Sequence, residues 1–581
     1  MKAHYPRFAA DKTILVQLWP RRCVPQDRAV FARIPDPTMS NSNNSAPDDL
    51  AQRDTAQPRD ARSLDRLAGF DWSRLFHTLV LSVCIVWLAG YFLPPINHDT
   101  AVLLYISKLW LEGGRLYVDA IDINTPLVFV LHLLPEALAK LTGLGGPTVL
   151  VALLGLGILA SFQTCRTVLA ASLEPYRAFS AALLPVLLLF LLIVFPNYMF
   201  TQREHIMMVL GMPYLLVASA RAGGTDMPRR LRIATGLMAG LGFAMKPYFL
   251  AFPLLVELYV LSRRGFRSTA TDAAPWSVLA VCVAHALFAV LVTPEYFTQV
   301  LPMAQDFYSR VADTDLFDLA TGTNLAAPTI ILPLLGIVAF WGVRSHLSRV
   351  IFLAGVAGLI SAYAQGKGWP YHALPARAFT LFLAGTAIAS VLDNTAWLRR
   401  GDRRPARWFA SALMLLVFYQ HGLARVPFAQ QLAYDDSEVK KLADIITPQR
   451  LDNRILILSP GIYPHFPLLN YTGMKMTMRF ESMWLLQGVY AECNDNGALY
   501  NDPARMSENE AMVFRSVAED FNKGRPSILV VDKIAGIPEC IADMPFSYLD
   551  YFNRNPLFAE RFLDYEPLLE YDRYEIYLRR R

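Results

Sequence analysis

The chain has 581 residues, of which 54% are hydrophobic and only 18% are charged, and its mean hydropathy is +0.30. This composition excludes a soluble multidomain enzyme, because such a protein would expose more apolar surface than water tolerates. The apolar residues also occur in long continuous blocks along the sequence, which excludes a disordered chain. The net charge of +5 comes from short basic loops between apolar runs, so it predicts membrane topology and no nucleic-acid partner.

The first 74 residues contain no apolar run long enough to cross a membrane. Arg, Asp, Ser, Asn and Pro dominate residues 40–66, and such a composition buries too little apolar surface to order itself. The segment also lacks the three parts of a signal peptide. We therefore predict a disordered cytoplasmic tail over residues 1–74, with Met39 as an alternative start of the chain.

The next 350 residues or so, 75–424, are predicted to form an α-helical polytopic membrane domain. A spanning helix needs about 20 mostly apolar residues. Basic loops at 221–232, 263–267, 344–349 and 399–407 predict the cytoplasmic face, which places the amino terminus inside and the carboxy terminus outside. The eleven predicted spans are 75–93, 148–165, 179–196, 205–220, 233–245, 248–262, 276–293, 326–342, 350–364, 374–392 and 408–424.

Two long loops are predicted on the outer face. The first, residues 94–147, carries apolar stretches at 101–111 and 126–142, and we interpret both as helices lying at the membrane interface, because counting 126–142 as a span would invert the basic loops. The second, residues 295–323, is acidic. Its carboxylates could bind a divalent ion, although carboxylates along a loop are more often simply solvated.

Residues 425–581 change to a soluble composition and predict a small extracytoplasmic α/β domain. Apolar runs at 454–460 and 528–532 indicate buried strands, and the alternating run 574–578 indicates an edge strand. Cys493 and Cys540 lie here and could form a disulfide in an oxidising compartment. The chain contains no C-x-x-C or zinc-ligand spacing.

Charged and aromatic residues gather in the predicted outer turns, where ionisable groups near membrane depth are costly and usually functional. Taken singly, each has a simpler explanation: a capping aspartate, a snorkelling lysine or an interfacial aromatic belt. Taken together, they predict an anion site with carboxylates beside it for proton transfer. The candidates are Asp99, Asp119, Asp122, Arg203, Glu204, Lys246, Lys367, Trp369, Tyr371 and His372.

The order and spacing of these residues resemble the GT-C superfamily of polytopic glycosyltransferases, over about residues 75–425. The likeness is greatest to the bacterial branch near lipid A aminoarabinose transferase and the protein O-mannosyltransferases. It is carried by His98-Asp99, by the stretch from Gly114 to Asp122, by Lys246-Pro247 and by the turn 366–372. The chain departs from the family pattern at Thr125-Pro126, often Pro-Pro, and at Arg203-Glu204, where an aspartate is common. The role of Glu204 is therefore open.

The resemblance implies transfer of a hexose or pentose from a polyprenyl-phosphate carrier to a lipid, glycan or protein at the outer face of a bacterial inner membrane. Asp99 would be the general base, with Glu204 a second catalytic candidate. Arg203, Lys246, Lys367 and His372 would stabilise the leaving phosphate, and Trp369, Tyr371, Asp119 and Asp122 would line the substrate site. No cofactor is required, and a divalent metal is optional.

Two alternatives remain at this point. A transporter or flippase of a lipid-linked substrate would also carry charges on broken helices. An oligosaccharide ligase or polymerase would share the donor chemistry. A receptor or scaffold would leave the convergent cations Arg203, Lys246 and Lys367 without a purpose.

Overall fold

A computed structural model of the chain describes residues 71–173, 177–308, 311, 314–343, 345–395, 403–421, 428–493, 498–538, 541 and 544–581. The predicted tail lies outside the described residues except for its last four positions, and so does Met39. Of these four positions, Trp72, Ser73 and Arg74 belong to the first helix, so this helix begins within the last residues of the predicted tail.

Helices dominate the first three quarters of the chain. They are α1 Trp72–Gly90, α2 His98–Leu111, α3 Pro126–Thr142, α4 Gly146–Ser172, α5 Ala178–Ile193, α6 Arg203–Ala222, α7 Arg229–Phe243, α8 Ala251–Arg264, α9 Phe266–Ala270, α10 Ala273–Val292, α11 Leu316–Gly322, α12 Ala326–Ile337, α13 His346–Gln365, α14 Leu374–Asn394, α15 Arg403–His421 and α16 Phe428–Leu432. Wider π-helical turns occupy Tyr296–Val300, Ala304–Tyr308 and Val338–Gly342.

Every predicted span coincides with a helix among the described residues, but the count of eleven is not confirmed. Six of the described helices are long and apolar enough to cross a membrane, namely α1, α4, α6, α10, α13 and α14. A seventh crossing is formed if α11 and the helix from Ala326 to Gly342, bent by 81°, are one span. The helices α7 and α8 have 15 and 14 residues. At 1.5 Å per residue they fall short of a hydrocarbon layer about 30 Å thick.

The membrane helices pack closely through small residues. Gly358 in α13 faces the backbone of α14, and a Cβ atom added at this glycine would lie 2.7 Å from the backbone nitrogen of Ala376. Small residues allow such approach of two helices where apolar burial alone cannot hold them together in lipid. The contact fixes α13 against α14, and the turn between these two helices carries four of the predicted site residues.

We therefore expect Gly358→Ala to lower the stability of the fold by about 1–3 kcal/mol, since the added methyl group forces two helix backbones apart. Gly157→Ala in α4 is the matched control, because its Cβ would meet only Val209 at 3.9 Å. Thermal unfolding of both variants in detergent measures the difference. Equal melting temperatures would show that α13 and α14 separate freely.

The carboxy-terminal part is a mixed sheet with helices, as predicted. Five strands lie in the order β2-β1-β3-β5-β4, with β1 parallel to β2 and β3, and β5 antiparallel to β3 and β4. The strands are β1 Arg454–Leu458, β2 Lys475–Met476, β3 Ile528–Asp532, β4 Tyr565–Tyr571 and β5 Tyr574–Arg579. The helices are α17 Glu438–Ile446, α18 His465–Thr472, α19 Trp484–Val489, α20 Glu508–Gly524, α21 Tyr548–Asn553 and α22 Pro556–Phe562.

One detail of the predicted sheet was wrong. The strand at 574–578 is not at the edge, because β4 pairs with its outer side through a hairpin closed at Asp572, whose φ is +51°. The sequence does not predict β4, because Pro567 interrupts its apolar pattern. Proline within a sheet is tolerated only on edge strands, and β4 is such a strand. β4 is itself the edge, and its charged side chains discourage pairing with another sheet.

The sheet domain is joined to the membrane domain through α2. The backbone amide of Met476 donates to the Tyr105 hydroxyl at 2.7 Å, and Lys475 pairs with Glu112 at 2.6 Å. The backbone amide of Ile96 donates to the Tyr471 hydroxyl at 2.8 Å. The domain therefore holds both ends of α2, the helix that begins with the predicted catalytic aspartate.

Of the cysteines in the described residues, Cys493 is disulfide-bonded, whereas Cys84, Cys165 and Cys282 are free. Cys540, the partner that we predict for Cys493, lies outside the described residues. The pairing stays a prediction.

Candidate active site

Asp99 lies in the first turn of α2, as predicted. Asn97 caps this helix, its side-chain oxygen accepting from the Asp99 amide at 3.0 Å. The Asp99 carboxylate accepts a hydrogen bond from Gln202 Nε2 at 2.6 Å, and it lies 4.0 Å from Arg203 and 3.7 Å from the His98 ring. The carboxylate is thus held by neighbours and does more than cap its own helix.

The Asp99 carboxyl is ionised at neutral pH. Burial alone would raise its pKa, but His98, Arg203 and the Gln202 hydrogen bond outweigh burial and leave the pKa below its ordinary value. The side chain is 18% exposed. An ionised, partly accessible carboxylate can accept a proton, which is what a general base requires.

Arg203 connects the two acidic positions of the site. Its guanidinium donates to the side-chain oxygen of Asn124, and Asn124 in turn donates through its backbone and side chain to Asp122, at 2.7 Å each. Burial raises the pKa of Asp122, with Asp99 adding to the rise, while Asn124 and Arg203 oppose it. Asp99 and Asp122 therefore have different proton affinities although one arginine faces both.

Glu204 and Lys246 form a buried ion pair. Lys246 Nζ donates to Glu204 Oε1 at 2.6 Å and to Gln365 Oε1 at 2.8 Å, and the Glu204 side chain is 1% exposed. Burial lowers the pKa of Lys246 to about 8 in spite of Glu204. A buried carboxylate that already forms an ion pair is poorly placed to accept a proton from a substrate. The geometry therefore favours a role for Glu204 in positioning Lys246.

The turn between α13 and α14 places aromatic side chains next to the two cations of the site. Both Arg203 and Lys246 lie over the Tyr371 ring, at 5.6 and 5.4 Å from its centre, and Trp369 and His372 pack beside it. Burial lowers the pKa of His372 well below its ordinary value, and Lys246 and Arg203 lower it further. His372 is therefore neutral, so it can offer a phosphate a hydrogen bond but no charge.

Two predicted residues lie at the margin of this arrangement. Lys367 donates to the Val311 carbonyl at 2.6 Å and lies over the Tyr308 ring. Asp119 is half exposed, and its carboxylate accepts from the Arg115 amide at 2.8 Å. Among the described contacts, none joins Asp119 to Asp99, Arg203 or Lys246. Its part in substrate binding stays a prediction.

Several residues that complete the site carry no clear signal in the sequence. Gln202 and Asn124 are neutral amides in turns, a position where such residues are common. Tyr308 packs between Trp369 and Trp484, and so connects the membrane domain to the sheet domain. Glu481, from the sheet domain, is close enough to Asp122 that burial and this neighbour raise the Glu481 pKa well above its ordinary value.

In the described part of the chain, no group of three or more His, Cys, Asp or Glu side chains is arranged to hold a metal ion. Two described carboxylates of the acidic loop 295–323 make local contacts. Asp315 caps α11, and Asp306 accepts from Asn509 of the sheet domain.

Comparison with known proteins shows the fold. No protein-family model and no curated protein matches the chain. The crystal structure of ArnT from Cupriavidus metallidurans bound to undecaprenyl phosphate is similar, with a TM-score of 0.53 and 15% identity, over 86% of this chain and 97% of that one. The apo state of the same ArnT gives a TM-score of 0.50 and 14% identity over the same shares. The predicted α-helical membrane fold with a small carboxy-terminal α/β domain is thereby confirmed, as a fold shared with this ArnT.

Proposed function

We propose that the chain is a membrane glycosyltransferase that transfers a hexose or pentose from a polyprenyl-phosphate carrier to an acceptor hydroxyl. One observation carries the proposal: the ionised Asp99 carboxylate lies 4.0 Å from Arg203, and Arg203 shares the face of Tyr371 with Lys246. A base for a proton thus adjoins two cations for a phosphate. The fold shared with an ArnT bound to undecaprenyl phosphate supports this choice of carrier.

The chemistry is a direct displacement at the anomeric carbon. The acceptor hydroxyl gives its proton to Asp99 as its oxygen forms the new bond to that carbon. The bond from the carbon to the carrier phosphate breaks, and its electron pair leaves with the phosphate oxygen. Arg203 and Lys246 stabilise the negative charge that develops on this oxygen. Such electrostatic stabilisation is strongest in a site from which water is excluded. Trp369 and Tyr371 supply apolar surface for the carrier or the sugar.

The positions of the charged residues argue against a transport path. Asp99 begins α2, Arg203 and Glu204 begin α6, and Lys246 follows α7. All of them therefore belong to helix ends, whereas a flippase needs polar groups along the depth of the membrane. A ligase or polymerase would use the same base and cations on a longer donor, and remains the alternative within glycosyl transfer.

The proposal includes a location. We infer a multi-pass protein of the bacterial inner membrane, with residues 1–74 cytoplasmic, a membrane domain over 75–424 and a periplasmic domain over 425–581. The basic loops support this orientation, because Lys and Arg accumulate on the cytoplasmic side. Besides the carrier, its partners are membrane lipid and a lipid, glycan or protein acceptor.

The test uses membranes that contain the full chain, incubated with a panel of polyprenyl-phosphate hexoses and pentoses carrying a radiolabel in the sugar. The proposal predicts that label from at least one donor moves to a new lipid, glycan or protein. If every donor remains intact while acceptors from the native envelope are present, the proposal is contradicted.

The KM for the donor should depend on pH through the titration of Lys246. This amine is charged below a pKa of about 8 and neutral above it. Because a neutral amine no longer attracts phosphate, we expect the KM for the donor to rise as pH increases through that value. Lys246→Arg should remove this rise, since a guanidinium keeps its proton in the same range. Identical pH profiles for the two proteins would exclude Lys246 as the titrating group.

A further inference from the structure

A pocket lined in part by Asn97 and Tyr198 lies near Asp99. It is small and partly open, and its enclosed part has a volume of about 20 Å³, room for one water-sized group. Its described lining contains six polar and no charged side chains. The polar ones are Asn97, Asn197, Tyr198, Thr201, Gln430 and Gln431.

Two oxygens in this pocket require a hydrogen-bond donor. Asn197 Oδ1 and Gln431 Oε1 are buried and have no partner among the described residues, and Gln431 is only 9% exposed. A buried amide oxygen without a partner costs free energy, so such groups are normally satisfied by a ligand or water. The groups that can satisfy them carry a proton, as a hydroxyl does and a phosphate oxygen does not.

The pocket is connected to the candidate base by two short series of contacts. Tyr198 OH contacts His98 Nδ1, and the other nitrogen of His98 lies 3.7 Å from Asp99. On the second route, Gln202 Nε2 donates both to Asn97 at 2.8 Å and to Asp99 at 2.6 Å. The pocket thus adjoins Asp99 through Tyr198 and His98 on one route and through the side-chain amides of Asn97 and Gln202 on the other, whereas Arg203 lies between Asp99 and the Tyr371 ring.

We propose that this pocket receives one hydroxyl of a neutral saccharide acceptor, and that the enzyme therefore glycosylates a sugar hydroxyl and not a phosphate. The inference rests on the proposed function and extends it to the chemical class of the acceptor. Asn197 and Gln431 accept from the anchored hydroxyl, and a neighbouring hydroxyl of the same ring gives its proton to Asp99 as its oxygen bonds to the anomeric carbon. The electron pair of the broken bond leaves with the carrier phosphate.

The stacked pair Tyr91 and Phe200, with ring centres 3.8 Å apart, forms part of the pocket wall. Tyr91, Phe200 and Ile96 are each at most 8% exposed, so they close the pocket behind the anchored hydroxyl. Neutral amides and hydroxyls match the hydroxyl of a saccharide, whereas an anionic group in the pocket would need a cation that the described lining lacks.

The experiment measures saturation transfer by NMR from the full chain, in phosphatidylcholine nanodiscs, to methyl hexopyranosides and to hexose 6-phosphates. We compare the wild type with Gln431→Leu, which keeps the size of the side chain, and with Asn197→Gly, which tolerates the φ of +56° at that position. Gln449→Leu is the matched control, because Gln449 is exposed in the sheet domain.

The inference predicts an NMR saturation-transfer signal from at least one neutral hexopyranoside with the wild type and with Gln449→Leu. In the two pocket variants, the binding of that hexopyranoside should be about tenfold weaker. Undecaprenyl phosphate binding, measured on the same samples, should be unchanged in all four proteins. Equal hexopyranoside binding by Gln431→Leu, no such binding in the wild type, or preference for the phosphates would overturn the inference. If the wild type does not bind undecaprenyl phosphate, the result instead counts against the proposed function.

Discussion

Asp99→Asn should reduce the rate of sugar transfer by about 10²- to 10⁴-fold, the usual contribution of a positioned general base. The amide matches the carboxylate in size and can keep the contact with Gln202 by rotating. It cannot accept a proton from the acceptor hydroxyl. The effect should therefore fall on kcat, measured with the active donor of the panel at equal protein level.

Binding of the carrier is the control for this variant. Asp99 faces Arg203, and removing a negative charge beside the phosphate site should leave undecaprenyl phosphate binding equal or slightly tighter. Asp502→Asn is the matched substitution, because Asp502 is exposed in the sheet domain and accepts from the Ala504 amide. Transfer at a normal rate by Asp99→Asn would remove the general base from the account.

Lys246→Met should affect both the fold and the carrier. Without the lysine, Glu204 is left as a buried carboxylate that has lost its ion-pair partner, and breaking such a pair costs about 3–5 kcal/mol. The variant also loses one of the two cations over Tyr371. We therefore expect a lower melting temperature and weaker binding of undecaprenyl phosphate.

The double variant Glu204→Gln with Lys246→Met separates these two effects. Replacing both charges removes the unpaired carboxylate, so the melting temperature should return close to that of the wild type. The missing cation is not replaced, so carrier binding should stay at least about tenfold weaker. If the double variant recovers binding together with stability, Lys246 holds the fold and does not contact the phosphate.

The sequence was sufficient for the helices and for the core of the site. Asp99, Arg203, Lys246 and Tyr371 each stand at an end of an apolar segment, and the order of those segments places them on one predicted face. The structure brings these four together. An apolar run and its basic flanks are strong local signals, and they determine which loops share a side of the membrane.

Other features depend on contacts that the sequence does not show. The neutrality of His372 follows from burial beside two cations. Glu481 comes close to Asp122 because the neighbouring Ile121 amide donates to the Arg479 carbonyl of the sheet domain at 2.7 Å. Several of the eleven predicted spans are shorter than about 20 residues, and the count depended on tilted or broken helices crossing there. The runs at α7 and α8 are helical but short, since loops and turns take up part of each.

The most direct test of the central claim is to count free polyprenyl phosphate released from the sugar-carrying donor by the wild type and by Asp99→Asn. Displacement at the anomeric carbon predicts one carrier phosphate released for each sugar transferred by the wild type, and almost none for the variant over the same time. A donor that crosses the membrane with its sugar still attached, equally in both proteins, would contradict the account and indicate transport.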